Sequence, residues 1–99
     1  MPTLAIVVST PPASGDFDRV ERLANAARAA GHEVSIFLMT DAAPLAATPR
    51  AAALVDAGCD VYVCATNFGD RTPAPGVVVG SQDDHAAMVH RADRVVALT

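Results

Sequence analysis

Apolar residues along this chain fall into two patterns, short continuous runs and stretches with helical spacing. The first run covers residues 4–8 and ends at two polar residues and two prolines. A short apolar run bounded by turn residues is typical of a parallel strand that is buried on both faces. From Phe17 to Ala30 the apolar residues recur instead on one side of a helical wheel, and Gly31 is suited to end that helix.

The alternation of strands and helices continues almost to the last residue. We predict further strands at residues 33–39, 60–65, 76–80 and 93–98. Helices are predicted to begin at three residues that can act as N-caps, which are Asp16, Thr48 and Ser81. The third and fourth strands are joined by a loop rather than a clear helix. Residues 41–47 are interpreted as an alanine- and proline-containing connection, with a lid or an interface as the alternative.

The element order βαβαββαβ predicts an α/β fold. Such alternation gives a three-layer α/β/α arrangement, here with a five-stranded, mainly parallel sheet and helices on both of its faces. No linker, repeat or low-complexity segment divides the chain, so we expect one domain over residues 1–99.

Composition narrows the class of protein. The net charge is −4 and the seven basic residues are scattered, which argues against a nucleic-acid partner. No apolar run approaches the ~20 residues of a membrane span, and the first run lacks the basic segment of a signal peptide. We therefore expect a cytoplasmic protein without a membrane partner. The hydrophobic content of 52% in only 99 residues suits a thin core that gains stability by homo-oligomerisation.

The two cysteines are not expected to pair. If Cys59 and Cys64 lie on one extended segment, their Cα atoms should be ~16 Å apart, whereas a disulfide tolerates at most ~7 Å. Their odd spacing also places the two side chains on opposite faces. The chain shows no zinc-binding spacing and no phosphate or dinucleotide motif, so no metal and no cofactor are predicted.

Candidate chemistry collects where the predicted strands end. In open parallel sheets, ligands bind outside the carboxyl ends of the strands. Cys64 lies near the end of the third predicted strand, and a thiol near a helix N-terminus or a cation becomes a nucleophile. We therefore predict Cys64 as the catalytic residue, with Arg71 and His85 as possible partners. The predicted substrate-binding residues are Thr10, Asp41, Thr66, Asn67, Arg71 and His85.

Structural roles remain open for each of these residues. Cys64 can equally be a small buried hydrophobe, His85 a solvated residue in a first helical turn, and Arg71 a loop or interface charge. Cys59, which precedes its strand, is interpreted as structural. Six residues separate Cys64 from Arg71, one more than the C-x5-R loop of phosphatases requires, so that chemistry is excluded.

Two long segments carry a resemblance to a known family. Residues 23–38, LANAARAAGHEVSIFL, and residues 54–64, LVDAGCDVYVC, resemble the DsrE/DsrF-like (TusD-like) sulfur-relay family. The resemblance implies a small α/β/α domain with strand order 4-3-2-1-5 that assembles into trimers or hexamers. It also implies that Cys64 occupies the position that carries a persulfide between partner proteins. The loop after Cys64 departs from the family pattern, because Gly69 precedes Arg71 instead of following an arginine.

Two hypotheses follow for function. The first is a sulfur-handling protein, a persulfide carrier or sulfurtransferase, in which Cys64 receives sulfur from a donor protein and passes it to an acceptor. The alternative is a non-catalytic oligomeric binding or assembly module with a buried Cys64. Exposure of the Cys64 sulfur is the observation that separates them.

Overall fold

The computed structural model describes residues 2–99, in which five strands form one all-parallel sheet. The strands are β1 (Thr3–Val8), β2 (Glu33–Leu38), β3 (Asp60–Cys64), β4 (Val78–Gly80) and β5 (Arg94–Leu98). They lie in the order β4-β3-β2-β1-β5, which is the order that the resemblance implied. The carboxyl ends of all five strands consequently meet at one edge.

Helices cover both faces of the sheet, which confirms the three-layer α/β/α prediction. They are α1 (Asp16–Ala29), α2 (Pro49–Asp56), the single turn α3 (Ala65–Phe68) and α4 (Gln82–Arg91), with 3-10 segments at Pro12–Ser14 and Thr40–Ala47. Within residues 2–99, none of these helices is long and apolar enough to cross a membrane.

The core is divided into two clusters because successive strand residues point to opposite faces. On the first face, alternate strand residues pack under α1, α2 and the Thr40–Ala47 segment; they include Ile6, Ile36, Val61 and Val63. On the second face, Ala5, Phe37 and Cys64 pack against Met88 of α4. Cys59 belongs to the first cluster and Cys64 to the second, so the two cysteines lie on opposite sides and both are free, as predicted.

Glycines end the first two helices as the sequence predicted. Gly31 has φ +87°, and the backbone N–H of His32 reaches back to the carbonyl of Ala27 at 2.9 Å. Gly58 has φ +96°, and the N–H of Cys59 reaches the carbonyl of Leu54 at 3.0 Å. Both are Schellman endings, which need a residue with positive φ.

One of the three predicted helix starts is corrected, and a second is confirmed in position but lacks the predicted side-chain cap. Gly15, not Asp16, is the N-cap of α1, and Asp16 is its first helical residue. Thr48 is the N-cap of α2, but its hydroxyl donates to the carbonyl oxygen of Leu45 at 2.6 Å instead of capping the helix. Ser81 forms the predicted capping box with Asp84 at the start of α4.

Two predicted connections contain helical turns. The link after β3, predicted as a loop, starts with the single turn α3, for which Cys64 is the N-cap residue. Residues 41–47, interpreted as a plain connection, belong to the 3-10 segment Thr40–Ala47, and four of its apolar residues are buried. Alanine side chains are small enough to let this backbone pack closely on the core.

Candidate functional site

Cys64 lies where β3 passes directly into α3. As the N-cap of α3 it precedes the first amide groups of that turn, which have no partner within the turn. Its side chain faces α4 because Val63 and Val61 take the opposite face. The thiol is thus placed between the amides that begin α3 and the first residues of α4.

The Cys64 side chain is buried in the isolated chain. Only 5% of the residue is exposed, and its apolar neighbours are Ala5, Phe37 and Met88. Polar groups complete the surroundings of the sulfur. They come from Thr66, Asn67 and Gln82, and all three residues are exposed. The sulfur therefore has an apolar side toward the sheet and a polar side toward the surface.

The polar surroundings favour the thiolate. Burial raises the pKa of Cys64, but hydrogen bonding by the Asn67 backbone N–H, the Gln82 side chain and the Thr66 backbone and hydroxyl outweighs it and leaves the pKa below the ordinary thiol value. Cys59 shows the contrast, because burial dominates there and raises its pKa. The two thiols differ in the hydrogen-bond donors around them, and the donors at Cys64 favour its ionised form.

Gln82, which the sequence analysis did not single out, contacts the sulfur directly. Its amide nitrogen Nε2 lies 3.5 Å from Cys64 Sγ, and its amide oxygen Oε1 lies 3.1 Å from His85 Nδ1. The His85 ring stacks on Phe37 at a centroid distance of 4.9 Å. His85 is thus linked to Cys64 through Gln82. The predicted start of α4 at Ser81 was the available signal, since residues three apart on a helix are neighbours.

Arg71 and Asn67 hold the loop that surrounds the thiol. Arg71 Nη1 donates to the carbonyl oxygens of Asn67 and Phe68, both at 3.3 Å, so the guanidinium anchors the end of α3. The Asn67 side-chain oxygen accepts from the backbone N–H of Thr40 at 2.9 Å, and the Thr40 hydroxyl donates to the carbonyl of Ser9 at 3.0 Å. These bonds connect the carboxyl ends of β1, β2 and β3.

The remaining predicted binding residues lie at the same end of the sheet. Thr10 follows β1, and its enclosed hydroxyl oxygen makes no hydrogen bond within residues 2–99. Asp41 is exposed near the start of the Thr40–Ala47 segment, and Thr66 is exposed on α3. Thr10 and Asp41 have no contact with Cys64 among the hydrogen bonds of the described chain.

The chain offers no metal site in its described part. No group of three or more His, Cys, Asp or Glu side chains in residues 2–99 is arranged to hold an ion. A groove of about 690 Å³ does exist, but it lies at the opposite end of the sheet, where it is lined by the starts of β1 and β5.

Together, the fold and the site define a small three-layer α/β/α protein with a hydrogen-bonded cysteine at the carboxyl end of its third strand. The DsrE/DsrF-like family model matches residues 3–98, and the chain belongs to that family. Membership of this family suggests a function related to sulfur relay.

Solved structures agree on the fold. The ychN protein from Escherichia coli is 22% identical, with a TM-score of 0.86 over 99% of this chain and 100% of that one. A conserved protein of unknown function from Bacteroides thetaiotaomicron is 16% identical, with a TM-score of 0.74 over 97% of this chain and 94% of that one. No curated protein matches the chain significantly.

Proposed function

We propose that this chain is a cytoplasmic sulfur-handling protein that carries persulfide sulfur on Cys64. The observation that supports this proposal is the chemistry around the thiol. Burial is the largest single influence on the pKa of Cys64 and raises it. The hydrogen-bond donors around the sulfur together outweigh burial and lower that pKa. A structural cysteine in an apolar cluster needs no such donors, as Cys59 illustrates.

The proposed reaction is a thiol exchange without a net change of oxidation state. The Cys64 thiolate attacks the terminal sulfur of a donor persulfide, R–S–SH. A bond forms between Cys64 Sγ and that sulfur, the donor S–S bond breaks, and the donor leaves as the thiolate R–S⁻. An acceptor thiolate then attacks the same terminal sulfur, and Cys64 leaves as a thiolate. The donors that stabilise ionised Cys64 before the first step also stabilise it as the leaving group of the second.

Access to the sulfur is proposed to come from its polar side. Thr66, Asn67 and Gln82 are exposed residues that surround the thiol there, whereas Phe37 and Met88 close the other side. A donor or acceptor thiol would reach the sulfur between these exposed side chains rather than through the core. Donor and acceptor proteins would thus dock at the carboxyl edge of the sheet, where Arg71 and His85 also lie.

A second candidate function is a non-catalytic, homo-oligomeric binding or assembly module. The 5% exposure of Cys64 favours it. Exposed valines on both edge strands also favour assembly, since Val78 is 48% exposed on β4 and Val95 is 44% exposed on β5. Homo-oligomerisation into trimers or hexamers is compatible with both functions.

Mass spectrometry after incubation with a low-molecular-weight persulfide tests the proposal. We expect the peptide that contains Cys64 to gain one sulfur atom, and the Cys64→Ser variant to gain none there. Cys59→Ala is the matched control and should still acquire sulfur on Cys64. An unmodified Cys64, together with reaction of a neutral thiol probe only after denaturation, would establish the assembly module instead.

A further inference from the structure

The Gln82 side chain connects two groups that can each change protonation. Nε2 lies 3.5 Å from Cys64 Sγ and Oε1 lies 3.1 Å from His85 Nδ1. Both ends of this bridge are fixed in place. The Ser81–Asp84 capping box holds the start of α4, where the Ser81 N–H donates to Asp84 Oδ2 at 2.8 Å. The imidazole is held by its stack on Phe37.

Hydrogen-bonding rules set the orientation of the amide. A thiolate can only accept hydrogen bonds, so the NH₂ group of Gln82 must face Cys64 when that residue is ionised. The amide oxygen then faces His85, and Nδ1 must carry the hydrogen that it donates. A neutral thiol can donate instead, which permits the reverse orientation with Nδ1 as acceptor. The orientation of the Gln82 amide therefore depends on both Cys64 and His85.

We propose that Gln82 is a positioning residue for the Cys64 thiolate and that His85, by donating from Nδ1, keeps the Gln82 amide nitrogen directed at the sulfur. This inference rests on the proposed function, because it assigns residues to the same reacting sulfur. In this arrangement His85 does not contact the thiol and acts on it only through Gln82.

Among the hydrogen bonds of residues 2–99, no charged side chain reaches Gln82 in competition with Cys64, and the Arg71 guanidinium on the neighbouring loop donates instead to the carbonyl oxygens of Asn67 and Phe68. From β1 and β2 the neighbours are Ala5 and Phe37, which are apolar, and from β3 the titratable neighbour besides Cys64 is the Tyr62 phenol. On α4 itself, the Asp84 carboxylate accepts from Ser81. The exposed Asp83 precedes it at the surface and has no hydrogen bond to His85.

The test is a pH titration of the Cys64 thiolate by its ultraviolet absorbance, which needs no reagent to reach the sulfur. Each variant is compared with the same variant carrying Cys64→Ser, so that Cys59 and Tyr62 cancel. Gln82→Met keeps the length of the side chain but removes the donor, and Gln82→Glu replaces the donor with a carboxylate. His85→Phe keeps the stack on Phe37 but removes Nδ1. His90→Phe, at the exposed far end of α4, is the matched control.

We expect Gln82→Met to move the titration to higher pH and to reduce the thiolate-to-thiol ratio at a given pH on the order of ten-fold, as loss of a hydrogen bond to a charged group predicts. Gln82→Glu should move the Cys64 titration further toward high pH, and His85→Phe should move it less than Gln82→Met does. His90→Phe should leave the titration unchanged. Titrations of Gln82→Met and Gln82→Glu that coincide with the parent would overturn the assignment of Gln82. A His85→Phe titration that coincides with the parent would overturn the role of His85.

Failure of this inference and failure of the proposed function give different results. A parent protein that acquires persulfide while its Gln82 variants titrate normally contradicts the positioning role alone. Shifted titrations in a protein that never acquires persulfide contradict the sulfur-carrier function and leave the positioning role established.

Discussion

The Asn67 side-chain oxygen accepts a hydrogen bond from the backbone N–H of Thr40 at 2.9 Å, across the gap between the ends of β3 and β2. Thr40 has φ +48°, which places a β-branched residue in the left-handed region. Such a conformation persists only where surrounding bonds hold it. Asn67 thus joins the loop around Cys64 to a strained position just after the neighbouring strand β2.

Replacing Asn67 should therefore destabilise the protein although the residue is exposed. We expect Asn67→Ala to lower the free energy of unfolding by about 1–2 kcal/mol, because the Thr40 N–H loses its acceptor. Asn67→Asp keeps an acceptor oxygen and should remain closer to the parent. Urea denaturation measures both, and equal stability of the two variants would show that the Thr40 bond contributes nothing.

The sequence predicted the sheet edge at which Cys64 lies, but not the contacts of its sulfur. Strands were predictable because continuous apolar runs such as residues 4–8 reflect burial on both faces. The contact between Gln82 and Cys64 depends on how α4 crosses the sheet, which is determined by packing of Met88 and Phe37 rather than by local pattern. The 5% exposure of Cys64 has the same origin. Local patterns therefore located the site, while packing decided its geometry.

Cys64 should make stability depend on pH in a defined direction. Burial opposes ionisation of Cys64, but its hydrogen-bond donors prevail and its pKa in the folded protein lies below the value in the unfolded chain. Between these two pKa values the unfolded chain binds more protons, so the free energy of unfolding contributed by Cys64 rises with pH. That contribution is lost as the pH falls through the lower, folded-state pKa.

The comparison that checks this pH dependence is between the parent and Cys64→Ser. Denaturant unfolding at several pH values should show a stability difference that shifts in favour of the parent as the pH rises toward the ordinary thiol pKa. Cys59 contributes with the opposite sign, because burial raises its pKa, but it is present in both proteins and cancels. A stability difference that stays constant with pH would contradict a lowered Cys64 pKa.

Gly58 should tolerate substitution less well than Gly31, although both end helices with positive φ. A Cβ atom at Gly58 would lie 2.6 Å from Arg28 Nη2, whereas one at Gly31 would meet nothing within 4 Å. The Arg28 guanidinium there donates to the carbonyl oxygens of Ala57 at 3.2 Å and His32 at 3.1 Å, so it links the ends of α2 and α1.

Alanine substitutions separate backbone strain from this steric conflict. Gly31→Ala should cost about 1 kcal/mol for the positive φ alone. Gly58→Ala should cost more, because Arg28 must also move from its two carbonyl acceptors. Thermal or urea unfolding measures the difference. Equal costs would mean that Arg28 gives way freely and that its bonds do not stabilise the helix ends.

The edges of the second face should mediate the proposed self-association. Val78 on β4 aligns with Tyr62, and Val95 on β5 aligns with Ala5, so both valines lie on the face that carries α4. They are 48% and 44% exposed, because a single helix covers the middle of that face and leaves both margins open. If another copy of the chain covered Val78 and Val95, their apolar surface would be removed from water, which favours association.

Charged substitutions at these margins test that arrangement. We expect Val78→Lys and Val95→Lys to shift the sedimentation of the protein from an oligomer toward the monomer, since each would bury an unpaired charge in the interface. Leu23→Lys is the matched control, because Leu23 is 36% exposed on α1, which covers the other face. Secondary structure by circular dichroism should be unchanged in all three variants. Oligomers that survive both valine substitutions but are lost with Leu23→Lys would place the interface on the face that carries α1.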